Sequence, residues 1–360
     1  MISDKYLAHF SEDDQVALEK ALRKQQLSGT SVVVEEYEAA LESYFDSKVV
    51  STSSGSAAIH AALVAAGVRD GNEVILPGIS PIPTILPVLA VGAKPVFVDI
   101  ESKCCQSITL ESFKAAVSDK TKAVICLPFW GYPAGYSDIV NYCTERGIAS
   151  IEDAAQAIGA LDAGKMIGTI ADFGCFSTHD RKLLSTGEGG FVVCKNQIDA
   201  EKIRKFIRLG GMKGDMYGPN YKLSALQAAL GNSRLKHVTS QIKLRTENAN
   251  SIKANIDGKF WKEMSFKEAA PNYYLLALYP QIENPISIHQ PLKQLGITTD
   301  YLNYGSGQYR KELFSSEKLQ LPNTHDFIEG CVTLPVHPDI SKTTIADICS
   351  ILNNVQREVS

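Results

Sequence analysis

The chain has no surplus of positive charge. Its 360 residues carry 36 Lys and Arg against 40 Asp and Glu, a formal net charge of −4 at pH 7. Phosphate backbones demand basic patches, so no nucleic-acid partner is expected. Runs of about five or six like charges, the mark of a charged tail, are missing as well. So is a long unbroken apolar run. The most apolar stretch, Ile79 to Val98, is interrupted by Pro81, Pro83, Pro87 and Pro95 and carries Lys94 near its end. A membrane helix needs roughly 20 mostly apolar residues, so no membrane partner is expected, and this stretch reads as a buried helix–strand pair. The start, Met1-Ile2-Ser3-Asp4-Lys5, leads to acidic Glu12-Asp13-Asp14, not to the apolar run of a secretory leader. The eight cysteines are scattered, with Cys104-Cys105 the one close pair and no Cys-x-x-Cys motif or Cys/His array. Neither a disulfide framework nor a metal is expected; reduced thiols in a cytoplasm are. No P-loop or Gly-x-Gly-x-x-Gly follows a strand-like segment, which argues against an unrelated nucleotide-binding protein.

What is present is an alternation. Lys48-Val49-Val50 leads to a helix-like Ala57–Ala66, and Glu73-Val74-Ile75-Leu76 to the segment Pro81–Ala90. Pro95-Val96-Phe97-Val98 and Ala123-Val124-Ile125-Cys126 follow, then a helix across Ser137–Arg146 and the strand Ile148-Ala149-Ser150-Ile151. Strands alternating with helices predict an α/β fold, a mostly parallel central sheet with helices on both faces. From Lys222 to about Ile256 the apolar spacing turns helical, with Gly231 as an interruption. The remainder, rich in Tyr and in short strand-like runs such as Tyr273–Leu278, predicts a smaller α+β domain. The length suits about two domains, drawn here as residues 1–235 and 236–360.

The chemistry concentrates between Ile151 and Gly190. Asp153 follows a predicted strand end, where ligand sites of open parallel sheets lie. Lys182 sits in a polar, glycine-rich stretch after a second strand, Asp172–Ser177. A lysine whose pKa is lowered can attack an aldehyde and form an imine. Pyridoxal 5′-phosphate (PLP) is such an aldehyde, and it needs a carboxylate to keep its ring nitrogen protonated. It also needs an anion-binding turn. Ser53-Ser54-Gly55-Ser56-Ala57, between a strand and a helix, can supply one from its N–H groups. Ser56 and Ser177 can add hydroxyl donors, since a helix dipole alone contributes about 0.3–1 kcal/mol. Each feature has an ordinary reading: a helix cap for the serines, an N-cap for Asp153, a surface residue for Lys182. Their occurrence together, in order, after successive strands is what points to the cofactor.

That set carries a family resemblance. The chain resembles the DegT/StrS-type sugar aminotransferases, of aspartate-aminotransferase-like fold (fold type I). The likeness runs from Gly29 to Thr333-Leu334-Pro335-Val336-His337-Pro338. Its most specific parts are Ser54-Gly55-Ser56-Ala57-Ala58-Ile59-His60, Glu152-Asp153-Ala154-Ala155-Gln156, Gly174-Cys175-Phe176-Ser177 and Gly187-Glu188-Gly189-Gly190. Asn220-Tyr221-Lys222-Leu223 and Gln227-Ala228-Ala229-Leu230-Gly231 add to it. The resemblance implies that Lys182 is the Schiff-base lysine and Asp153 the partner of the pyridinium nitrogen. Gln156 would bond the ring hydroxyl, and Ser56, Ala57 and Ser177 the phosphate. Asn220 would reach the phosphate of a neighbouring subunit, so a homodimer with shared active sites is implied. The partners would be an amino acid donor, glutamate or glutamine, and a keto acceptor. That acceptor would be a keto-sugar, often nucleotide-linked, or a keto-cyclitol.

Several positions depart from the family pattern. Pro81 stands where a ring-stacking aromatic is usual, Pro128 where a histidine is, and Lys222 where arginine is common. Thr178-His179-Asp180-Arg181 is unusual too, and His179 and Arg181 are read as packing or substrate-contacting residues. Tyr301, Asn303 and Tyr304 are candidate pocket residues, or core. Other functions of this fold stay open: a PLP-binding regulator without turnover, or a lyase or dehydratase. The dehydratase branch carries histidine in place of the lysine, and sulfur-removing enzymes need a mobile cysteine, whereas Cys175 is expected to be buried.

Overall fold

The computed structural model describes Ile2 and residues 6–214, 216–264, 268–297 and 319–359. Tyr301, Asn303 and Tyr304 lie outside the described residues. The first half lays down β1 (Lys48–Thr52), β2 (Glu73–Pro77), β3 (Lys94–Val98), β4 (Thr121–Cys126) and β5 (Ala149–Asp153). A short pair, β6 (Leu161–Asp162) and β7 (Lys165–Met166), precedes β8 (Phe173–Ser177) and β9 (Gly190–Cys194). Seven of these form one sheet in the order β1-β9-β8-β5-β4-β2-β3. All pairings are parallel except those of β9, which is antiparallel to both β1 and β8. Six strands therefore run one way and end at one edge of the sheet. This is the α/β fold, a mostly parallel sheet with helices, that the alternation predicts.

Side chains alternate between the faces of the sheet, and both faces are covered. Val124 and Cys126 enter one core and Ala123 and Ile125 the other. Helices α1 (Glu12–Arg23) and α2 (Val32–Phe45) open the chain, followed by α3 (Gly55–Ala65) and α4 (Ile82–Ala90). The alanine-rich α3 buries seven of its residues, Ala57 to Leu63, against the sheet. The proline-rich stretch is the helix–strand pair expected of it, α4 then β3. Next come α5 (Leu110–Ala116), α6 (Ser137–Arg146), α7 (Gln197–Phe206), α8 (Ala225–Leu235) and α9 (Val238–Ala254). The predicted helix from Lys222 is thus two helices, and the break is not at Gly231. That glycine lies inside α8 against Tyr37, where a Cβ would come within 2.5 Å of the ring. The chain turns instead at Lys236-His237.

A second, antiparallel sheet combines β10 (Trp261–Glu263), β12 (Leu276–Pro280) and β13 (Val332–Leu334), while β11 (Ala269–Ala270) pairs with β6. The strand expected over Tyr273–Leu278 begins three residues later, leaving Tyr273, Tyr274 and Leu275 as the segment that approaches it. A third core surrounds this sheet, and Leu127, Phe129 and Trp130 from beyond β4 join it. Helix α9 packs on both sides: Val238 and Ile242 meet the large-sheet core, Ala249 and Ile252 the small one. Among the described residues, no helix is long and apolar enough to cross a membrane. The cysteines are free thiols, and Cys175 is 1% exposed, as expected.

Candidate active site

A pocket of about 380 Å³ opens at the edge where the parallel strands end. It is lined by residues at and beyond the ends of β1 (Ser54, with Gly55 and Ser56 opening α3), β2 (Pro81, with Pro83 and Thr84 in α4), β4 (Leu127, Pro128, Phe129) and β5 (Asp153, its last residue, then Ala155 and Gln156). Ser177, His179, Arg181, Lys182 and Glu188 come from the end of β8 and the loop after it, and Tyr274 from the approach to β12. Ligand sites of parallel sheets form at this edge because each strand hands its chain to a loop there. Of the residues singled out from sequence, Ser56, Asp153, Gln156, Ser177 and Lys182 share this pocket. Asn220 and Ala57 are not among its walls. Asn220 is exposed, pairs by its backbone with Arg208 and accepts from Lys222 Nζ at 2.5 Å.

Asp153 is the last residue of β5, not the one after it, and is 5% exposed. Burial pushes its carboxyl above the usual range, opposed by the Thr84 hydroxyl, the Ala155 N–H and the charge of Lys182. Thr84 Oγ1 donates to Oδ2, and the Ala155 amide to Oδ1 at 3.2 Å. No cation salt-bridges this carboxylate among the described residues. An acid so desolvated gains most from a protonated heteroatom arriving in front of it.

Lys182 is the matching amine. Burial lowers its pKa to about 8, with Asp153 raising it and Arg181 lowering it further. With that value more of the amine is unprotonated near neutrality than for an ordinary lysine, and so free to act as nucleophile or base. Its Nζ lies 5.2 Å from the centroid of the Tyr274 ring. His179 and Arg181 line the same pocket, and His179 Nε2 stands 3.9 Å from Glu188 Oε1.

The turn after β1 is built as an anion cradle. Ser54 caps α3 by accepting the Ala57 N–H at 3.1 Å. The Gly55 and Ser56 amides find no partner among the described residues. Gly55 packs so closely on Ser177 that a Cβ would come within 2.8 Å of the serine Cβ. The Ser177 hydroxyl and two amides without partners thus converge at a helix N-terminus, donors of the kind a phosphate needs. Ser56 Oγ also donates to the Pro83 carbonyl at 3.2 Å. In a regular helix that carbonyl would accept the amide of residue 87, but residue 87 is proline and has none.

Gln156 is held by its neighbours. Its Oε1 accepts the Trp130 N–H at 2.7 Å, which leaves Nε2 as a donor. Trp130 presents that N–H from a left-handed conformation, φ 53°. The buried Asn272 side chain then donates to the Gln156 and Ile158 carbonyls, 2.9 Å each. Thr84, Asn272 and Tyr274 are absent from the sequence reading. No local motif marks them, because their contacts with Asp153, Gln156 and Lys182 are distant in sequence. Pro81 and Pro128 do line the pocket.

An amine of lowered pKa, a buried carboxylate and a phosphate cradle at the ends of parallel strands define a PLP-dependent transferase of fold type I. The chain belongs to the DegT/DnrJ/EryC1/StrS aminotransferase family, which it matches over residues 9–353. PLP is the cofactor of that family, and this chain is an aminotransferase of it. It is 28% identical over 307 residues to the GDP-perosamine synthase of Escherichia coli O157:H7, covering 84% of each chain. It is 31% identical to a protein of Geobacillus stearothermophilus named pleiotropic regulatory protein, over 86% of this chain and 85% of that one. The crystal structure of the aminotransferase TlmJ from Streptoalloteichus hindustanus superposes with a TM-score of 0.91, at 23% identity, over 99% of both chains.

Proposed function

We propose that this chain moves the amino group of glutamate or glutamine to the ketone of a nucleotide-linked sugar, with a keto-cyclitol as second acceptor class. The carrying observation is that Lys182, with its pKa near 8, and the buried Asp153 face one pocket with a phosphate cradle. Likeness to a synthase of a GDP-linked amino sugar supports the acceptor class.

When bound, PLP supplies an electron sink for the substrate carbon. In our reading Lys182 Nζ would anchor the cofactor and, as a free amine, would be the base that takes the proton from the donor's α-carbon. Asp153 would keep the ring nitrogen protonated, and Thr84 keeps that carboxylate hydrogen-bonded. Gln156 Nε2 would donate to the ring hydroxyl. The Gly55 and Ser56 amides and the Ser177 hydroxyl would hold the phosphate, joined by the Ser56 hydroxyl once it turns from the Pro83 carbonyl. The Ala57 amide joins them once Ser54 yields it. Asn220, outside its own pocket, serves the phosphate of a neighbouring subunit in a cytoplasmic homodimer. Residues 236–360 form the smaller domain and add Tyr274.

The test is reconstitution. With PLP the protein should absorb as an imine, and borohydride should fix the adduct on Lys182. Glutamate or glutamine should convert it to the pyridoxamine form, and a nucleotide-linked keto-sugar should restore the aldehyde form. Lys182→Ala should abolish both. An adduct elsewhere, or normal turnover by Lys182→Ala, refutes the assignment. Bound PLP without amine exchange would favour the regulatory reading that the Geobacillus relative suggests.

A further inference from the structure

The Lys182 amine has no hydrogen bond or salt bridge among the described residues; what it meets is the ring of Tyr274, 5.2 Å from Nζ to centroid. Tyr274 is fixed at both of its backbone polar groups by buried side chains. Its N–H donates to Asn272 Oδ1 at 2.9 Å, and its carbonyl accepts from Arg245 Nη1 at 3.1 Å. Asn272 is 0% exposed and Arg245 2%. The same Asn272 bonds the Gln156 and Ile158 carbonyls, and its own N–H reaches the Gly131 carbonyl at 3.2 Å. Gly131, at φ 84°, leaves no room there for a Cβ, which would overlap Asn272 Oδ1. Arg245 is the costlier element. No carboxylate salt-bridges it among the described residues; its guanidinium lies over the Tyr6 ring, 5.3 Å from Cζ to centroid, with Asp339 adding a favourable charge at longer range. What it holds instead are the carbonyls of Tyr273 and Tyr274.

We propose that Tyr274 is a catalytic residue whose ring face seats the Lys182 amine whenever that amine is not covalently engaged, keeping it in the pocket for proton transfer. The proposal rests on the reading of Lys182 as the reactive amine. The negative face of an aromatic ring attracts an ammonium group, and more strongly where water is excluded. A four-carbon stem released from its bond would otherwise sample many rotamers, and a misplaced base loses rate steeply. Arg245 and Asn272 are positioning residues that act through Tyr274.

The direction of a pH shift separates a seat from simple packing. In the apo-protein, Lys182 is acetylated across a pH series and quantified by peptide mass spectrometry, with PLP protection as the control. The seat favours the ammonium form, so its loss should move the midpoint down, by about 0.4–1.5 pH units. Tyr274→Met keeps bulk without a ring and Tyr274→Leu removes both, so either variant alone suffices. Tyr274→Phe keeps the face and should stay within about 0.2 units of wild type. Loss of packing alone would admit water and move the midpoint up. An unchanged or raised midpoint in the ring-less variants overturns the proposal. In single turnovers with the amino donor, the ring-less variants should react on the order of tenfold more slowly at saturation, with the donor's half-saturating concentration unchanged. A rate equal to wild type overturns the seat as well. Failure of PLP to protect Lys182 overturns the reading beneath it; protection with no downward shift sinks Tyr274 alone.

Discussion

Ser56 Oγ donates to the carbonyl of Pro83, 3.2 Å away, which Pro87 leaves without a helical donor. The proline within α4 and the serine of the anion cradle are therefore energetically linked. Ser56→Ala should cost about 1 kcal/mol of stability, besides weakening PLP binding. Pro87→Ala supplies the missing N–H and should stabilise α4. In that background the stability cost of Ser56→Ala should shrink towards zero. Denaturant melts of the four proteins form a double-mutant cycle; strictly additive effects would show that the two residues are uncoupled.

Thr84 is fully buried and spends its hydroxyl on Asp153. Thr84→Val removes that donor from a carboxylate already pushed up by burial. PLP affinity should fall about tenfold or more, since a hydrogen bond to a charged group contributes about 1.5–3 kcal/mol. Asp153→Asn should keep the fold and lose most activity. Titration of both variants with PLP, followed by absorbance, checks the order: Thr84→Val intermediate, Asp153→Asn lowest in turnover.

The Lys182 amine, lowered to about 8, sets a pH limb. A base must be unprotonated to take a proton, so the donor half-reaction should rise with pH and level off above roughly 8. Arg181→Gln removes a charge that lowers this pKa and should move the limb to higher pH. A limb that stays in place would mean that Arg181 does not act on Lys182.

Helix α1 is fastened to α8 by Asp14, 1% exposed, whose Oδ2 accepts from Arg234 Nε at 3.1 Å and Nη2 at 2.9 Å. Burial pushes this carboxyl up, but the hydrogen bonds and charge of Arg234 outweigh it and leave the pKa below its ordinary value. A depressed folded value means that the contribution is present above the unfolded pKa of about 3.9. It is lost as pH falls through the lower, folded one. Stability should therefore drop below about pH 4, and Asp14→Asn should flatten that slope while destabilising the protein by about 3 kcal/mol at neutrality. Acid melts of wild type and variant measure both.

Much of this was legible in the sequence, for a physical reason. Buried parallel strands are short apolar runs, so β1 to β5 and β8 could be read directly, and Asp153 and Lys182 sit in local patterns tied to those strands. The reversed strand β9 could not be read that way. Its direction depends on where the loop from Thr178 to Gly189 delivers the chain, not on Phe191, Val192 or Val193 themselves. Gly231 reads as an interruption because glycine loosens a helix backbone, whereas the closeness of the Tyr37 ring is what requires it. Tyr274 was invisible for another reason. Its place depends on Arg245 and Asn272, whose buried polar bonds exist only once the two sheets are assembled.

Helix α9 runs 17 residues with neither glycine nor proline, from the core of one sheet into that of the other. At 1.5 Å per residue it is a rod of roughly 25 Å. Any closing of the C-terminal sheet over a bound sugar would have to tilt this rod as a unit. Such a tilt would pull on Arg245, which it carries midway, and so on the ring beside the reactive amine.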